Sequence, residues 1–180
     1  MKYLLSMTVL LAGLGGCATA PTSRTIAATD PLNAPELTRS FGIRDRYGIP
    51  RHVGGTAIYI DSVARHFDYA EASTIAWRDK HGRWEWSQVS ERGPGGLLPA
   101  KQELNSNKVR SLTDLEAKSV EDLIRNPALY NGIVETDGSH GVGAPSHVMG
   151  IVTPFGRTVI RWNGRLLGPA GDLADILLGR

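Results

Sequence analysis

The sequence predicts an α+β fold, mainly an antiparallel sheet built from hairpins, with two or three helices packed on one face. Two stretches rich in strand-forming residues, each broken by a turn signal, predict hairpins around His81-Gly82 and Pro154-Phe155-Gly156. A capped amphipathic stretch beginning at Thr113 and an apolar C-terminal run predict helices. Strands, helix, strands and helix follow one another in that order. Such an order favours helices gathered on one face of an antiparallel sheet over a wound α/β fold. No internal repeat is visible.

Taken along the chain, Phe41 to Pro50 reads as a strap packing onto the domain. Gly54-Gly55 leads into Thr56 to Asp61, which predicts a strand. Residues 62–71 fit two patterns. Val63, Phe67 and Ala70 have helical spacing, whereas Phe67 and Tyr69 alternate like a strand. A turn at His81-Gly82 predicts a hairpin over residues 73–90. It sets Arg78 opposite Glu85 and Trp77 opposite Trp86, and gathers Ile75, Trp77, Trp84 and Trp86 on one face. Gly93-Pro94-Gly95-Gly96 is a loop, and without Gly-Lys-Ser/Thr after it, it is no phosphate loop. Residues 101–111 predict a short strand pair around Asn105-Ser106-Asn107.

Thr113-Asp114-Leu115-Glu116 matches a capping box. The helix it opens runs to about Arg125, with Ala117, Val120, Leu123 and Ile124 on one face. Asn126-Pro127 ends it and starts a short turn of helix. A glycine-rich loop spans Thr136 to Ser146. The hairpin after it sets Val152 opposite Thr158, Gly150 opposite Ile160 and Val148 opposite Trp162. Val148 to Val152 is apolar on both faces apart from Gly150, as suits a central strand. Asn163-Gly164 predicts a turn into a short strand, Arg165 to Leu167. A helix from about Pro169 to Leu178 closes the chain.

The N-terminus has a different character. Lys2 is followed by a short apolar run and then Gly13, Leu14, Gly15, Gly16 and Cys17. The run is shorter than the roughly 20 apolar residues that span a bilayer, and its layout is that of a secretory signal. Leu14-Gly15-Gly16-Cys17 resembles the lipobox of bacterial lipoproteins. The resemblance covers about the first 20 residues and implies cleavage before Cys17. It also implies a diacylglycerol thioether on Cys17 and an acylated amine, a palmitate-type modification. Three chains make a lasting anchor, since two membrane signals already suffice. Ala18, rather than Asp, follows the cysteine. In that family this points to the outer membrane, facing the periplasm.

The expected organisation is therefore a signal peptide over 1–16, a lipidated cysteine with a flexible tether over 17–40, and one globular domain over 41–180. Pro, Ala, Thr and Ser between residues 18 and 35 suit a solvated spacer. The signal holds one cation, Lys2, and no Asp or Glu. The remainder carries 19 Lys and Arg against 18 Asp and Glu. That balance, with no like-charge run, gives no nucleic-acid signature. Cys17 is the only cysteine, so lipidation leaves no thiol for catalysis, a disulfide or a Cys-based metal site.

No catalytic residue, cofactor or metal is assigned from the sequence. The tentative ligand or metal loop holds Asp137, His140 and His147, with Ser139 and Ser146 between them. Such a loop can bind a metal or place a base, but its spacing matches no standard zinc motif and no Gly-x-Ser-x-Gly element. The plainer reading is a polar surface loop with His147 opening a strand. Trp77, Trp84, Trp86 and Trp162 read as core rather than as a ligand platform. Arg78, Lys80, Arg83, Arg157, Arg161 and Arg165 read as a solvated, edge-protecting face. The expectation is a membrane-anchored periplasmic lipoprotein that acts by binding or scaffolding. Its partners are the membrane, through Cys17, and an envelope protein or cell-wall component. The competing expectation is a periplasmic hydrolase or metal-binding protein using the His140–His147 loop.

Overall fold

The computed structural model describes residues 22–26, 42–52, 55–64, 68–94, 103–130, 135–137, 144–154 and 156–180. Cys17, His140 and the glycines of the 138–143 loop lie outside them. The described strands are β1 (Thr22–Ile26), β2 (Ala57–Ala64), β3 (Asp68–Arg78), β4 (Trp84–Pro94), β5 (Glu103–Ser111), β6 (Ser146–Thr153) and β7 (Gly156–Asn163). The helices are α1 (Gly42–Arg46), α2 (Asp114–Arg125), a 3₁₀ turn (Pro127–Tyr130) and α3 (Gly168–Leu178). The strands form one sheet in the order β1-β7-β6-β2-β3-β4-β5, antiparallel at every junction. The fold is α+β, as the order of elements predicts.

Several local expectations are met by named contacts. Thr113 and Glu116 form the reciprocal capping box at the start of α2. The Thr113 N–H donates to Glu116 Oε2 at 2.8 Å. Residues 62–64 and 68–71 are strand, and Phe67 lies outside the described residues. Phe41 to Pro50, read as a strap, contains α1. β1 falls within the segment expected as a spacer and pairs with β7 from Thr22↔Arg161 to Ile26↔Arg157.

Both hairpin registers differ from expectation by one residue, for reasons set by the turns. Arg78 stands opposite Trp84, Trp77 opposite Glu85 and Ala76 opposite Trp86. Gly82 alone takes the left-handed conformation, at φ +79°. The Asp79 carboxylate accepts from the His81 and Arg83 amides, both at 2.8 Å. Five residues thus make the connection, and one extra residue moves every side chain to the other face. The tryptophans part accordingly. Trp84 and Trp86 enter the helix-side core, while Trp77 faces away and stacks on His52 at 3.8 Å. In the second hairpin Thr153 pairs with Gly156, so only two residues connect the strands. Val152 then faces Arg157, Gly150 faces Val159 and Val148 faces Arg161. Residues 103–111 are one continuous strand rather than a pair, with a bulge at Ser90/Glu91 in its partner register. Arg165 to Leu167 contributes only the bridge Thr136↔Leu166.

The sheet has a core on each face. Ile58, Ile60, Trp86, Met149, Ile151 and Ile160 meet Val120 of α2, Leu129 of the 3₁₀ turn, and Leu173 and Leu177 of α3. The Trp86 indole N–H donates to the Leu177 carbonyl at 2.9 Å, which ties α3 to β4. On the other face Tyr59, Ile75, Val152 and Val159 form a smaller apolar cluster. Beside it α1 inserts Arg44, which is fully buried. Its guanidinium donates to the Ser73 hydroxyl and carbonyl, both at 3.0 Å, and to the Ser87 carbonyl at 2.9 Å and hydroxyl at 3.2 Å. A further bond at 3.2 Å reaches the Pro50 carbonyl. Burial lowers the Arg44 pKa to about 10 against the opposing pull of Asp61, so the group stays charged near neutrality. Arg46 clamps Glu71 at 2.8 Å and Glu91 at 2.5 Å, an acid pair set side by side on β3 and β4.

Gly150 explains itself through its cross-strand partner. A Cβ there would lie 2.0 Å from Cζ of Tyr59, whose ring covers the glycine. Gly150→Ala should cost about 3 kcal/mol, the upper end of overpacking penalties. In a Tyr59→Ala background the same change should cost far less, because the ring it strikes is gone. Urea midpoints of the four proteins give the coupling, and equal costs in both backgrounds would refute the clash.

Candidate functional site

His147 is the one member of the expected ligand loop with a defined, buried position. β6 lies between β2 and β7, and the register sets Ser62, His147 and Trp162 in one row across them. Paired residues share a face, so the three side chains meet. Nδ1 of His147 and Oγ of Ser62 share a hydrogen bond of 2.7 Å. The ring stacks on Trp162 with centroids 4.9 Å apart. His147 is 3% exposed. Burial lowers its pKa to about 4, and the nearby positive charge of Arg180 adds to the effect. The imidazole is therefore neutral at ordinary pH.

Asp137 is exposed and takes part in a backbone clasp. Its amide donates to the Arg165 carbonyl at 3.1 Å, and its Oδ1 accepts from the Arg165 amide at 3.3 Å. The Leu167 amide donates to the Glu135 carbonyl at 2.9 Å. This clasp carries the 135–137 segment onto the turn after β7. Arg165 reaches the other way, to Asp175 of α3 at 3.3 Å. Between them opens a cleft of about 530 Å³ lined by Pro145, His147, Gly164, Arg165, Asp175 and Arg180. Asp137 and His147 are thus joined through Arg165, which binds one by its backbone and shares the cleft with the other. Among the described residues, no group of three His, Cys, Asp or Glu is placed to hold a metal.

The arrangement offers an ionic and hydrogen-bonding wall to a small ligand. Arg165 and Arg180 supply donors, Asp175 offsets one of the charges, and His147 adds a neutral ring edge. A second cleft of about 390 Å³ lies at the opposite end of the sheet. There Glu121 holds Arg78 at 2.9 Å and Arg125 at 3.2 Å and accepts the Trp84 indole N–H at 3.3 Å, so its cations are already engaged.

Sequence reasoning did not find Ser62 as the partner of His147. The two are far apart in the chain, and only the strand order brings β2 beside β6. The signal was present in the alternation Ile58, Ile60, Ser62, where the face turns from apolar to polar at the row that meets the histidine. The tryptophan expectation holds for Trp84, Trp86 and Trp162, which are buried, while Trp77 is half-buried. Arg157, grouped with the solvated arginines, is buried on the face that carries Tyr59. Three other arginines of that group bind acids: Arg78 binds Glu121, Arg83 binds Asp79, and Arg165 binds Asp175.

A histidine held neutral in the fold makes stability depend on acid. Its folded pKa is below the unfolded value near 6.5, so the unfolded chain binds the extra proton. Stability from this group is full above pH 6.5 and falls as pH drops towards 4. Between pH 7.5 and 5 the loss should be about 2 kcal/mol. Urea unfolding of the wild type and His147→Gln at the two pH values tests this. The difference between them should shrink at pH 5, and a difference constant with pH would refute it.

No protein-family model, curated protein or solved structure matches the chain. The chemistry of the site rests on its own residues.

Proposed function

We propose that the chain is a lipid-anchored protein of the bacterial envelope, held through Cys17 at the periplasmic face of the outer membrane, and that it acts by binding. The observation that carries this reading is Leu14-Gly15-Gly16-Cys17 behind a cationic start and a short apolar run. The cleft beside His147 supports binding as the mode of action. Its volume falls in the range of small-molecule sites, and its polar groups converge from three elements. The two arginines suit an anionic oxygen, such as a carboxylate or phosphate of a cell-wall or lipid component. Cys17→Ser should leave an uncleaved precursor or release the protein from membranes. Fractionation with mass spectrometry of the N-terminus reads both, and a processed Cys17→Ser protein that still sediments with membranes would overturn the anchor.

A second reading is a serine-type hydrolase, and one observation favours it. Ser62 Oγ lies 2.7 Å from His147 Nδ1, within reach for a nucleophile and its base. The electrostatics oppose it. A general base works best with a pKa near the operating pH, whereas this one is held near 4 in a nearly sealed position. The binding reading therefore expects no labelling of the purified protein by a fluorophosphonate probe. Labelling that disappears in Ser62→Ala would establish the hydrolase instead.

A further inference from the structure

β1 changes the geometry of the anchor. Cys17 is followed by only four residues before Thr22, the first residue of β1. At no more than about 3.6 Å per residue, the Cα of Thr22 is held within about 18 Å of the Cα of Cys17, whatever path the chain takes. Thr22 is no loose point. It pairs with Arg161 of β7, so that distance limits the whole sheet.

The register then says which end is held. Thr22 is the N-terminal end of β1, and it lies at the end of the sheet where β7 finishes and β6 begins. Two residues beyond Arg161, Asn163 pairs with Ser146. Gly164, Arg165, Pro145 and His147 follow at once, and these are the walls of the cleft. The opposite end carries the His81-Gly82 turn and the Thr153–Gly156 turn. It lies about 20 Å further along the strands.

Resting on the lipid-anchored reading above, we propose that the end of the sheet bearing Asn163, Gly164 and the His147 cleft sits against the headgroup layer of the bilayer. The cleft then opens at the membrane surface, and the His81-Gly82 hairpin points away from it. The occupant of this face is the bilayer itself. The short covalent connection from Cys17 to a paired strand selects that end over the other. Arg161, Arg165 and Arg180 stand at this end, where headgroup phosphates would be within reach, though Asp175 holds Arg165 in the isolated domain.

The test uses the full acylated chain in vesicles of phosphatidylethanolamine and phosphatidylglycerol. Cys17 is the only native cysteine, and its sulfur is consumed by the lipid, so a single introduced cysteine takes a fluorophore cleanly. Asn163→Cys and His81→Cys are each labelled and exposed to lipids bearing a nitroxide at the headgroup. The label at 163 should be strongly quenched, and the label at 81 little or not at all. Circular dichroism of both proteins controls for folding. A third protein carries about a dozen Gly and Ser residues inserted before Thr22, which should relieve the quenching at 163 while flotation with vesicles persists. Equal quenching at both labels, stronger quenching at 81, or quenching at 163 that survives the insertion overturns the proposal while the anchor stands. Failure of the wild-type chain to acylate and float overturns the anchored reading and this one with it.

Discussion

The burial of one charged side chain, Arg44, governs how this sheet is covered. A guanidinium taken out of water loses several kcal/mol of hydration unless its donors are met. Here three nitrogens find five acceptors, four of them on Ser73 and Ser87. Those two serines lie on adjacent strands of one face, so the arginine can be satisfied only when β3 and β4 are in register. α1 has only five residues and cannot stand as a helix by itself in water. Its place is fixed by what it inserts. Arg46, one turn edge away, adds the bridge to Glu71 and Glu91, two acids that would repel each other on neighbouring strands without a cation between them. The strap thus buries the polar part of this face around Ser73 and Ser87, and β3 and β4 become covered on both sides there.

This second buried face was the least legible part of the fold. Antiparallel pairing could be read from hairpin signals, and α2 from its capping box, because both are written in neighbouring residues. The one-residue errors of register arose where a turn's residue count decides and composition does not. His81-Gly82 reads equally well as a two-residue turn or as the end of a longer one, and Asp79 settles it by accepting two amides. Arg44 was illegible for another reason. An arginine in a short polar segment looks solvated, and the serines that receive it look like ordinary strand residues. Their contact spans 29 and 43 residues of sequence. Gly150 was visible as a gap in an apolar strand, but Tyr59, which fills that gap, is named only by the pairing of β2 with β6.

The candidate site divides along the same line. His147 was legible as an unusual residue at the start of a strand, and the structure gives it a partner, a stacking ring and a charge state. Asp137 was legible as an acid near two histidines, and its bonds to the backbone of Arg165 were not. Sequence proximity suggested one loop acting as a unit. The fold uses the 135–137 segment to brace the turn after β7, and that turn supplies part of the cleft wall, while His140 lies outside the described residues.

The chemistry of the cleft follows from what the sheet does to His147. An exposed histidine would titrate near neutrality and offer a switch or a base. Placed between Ser62 and Trp162 with Arg180 nearby, this one is kept neutral, so the charges available to a ligand are those of the two arginines and Asp175. Such a wall suits an anionic group by donors and position, and a histidine with a lowered pKa is a weak base for proton transfer near pH 7. The same row of residues that removes the base also sits where β1 enters the sheet. On the proposed anchoring through Cys17, the cleft and the attachment point share one end of the sheet, so a partner lying in the membrane would meet both.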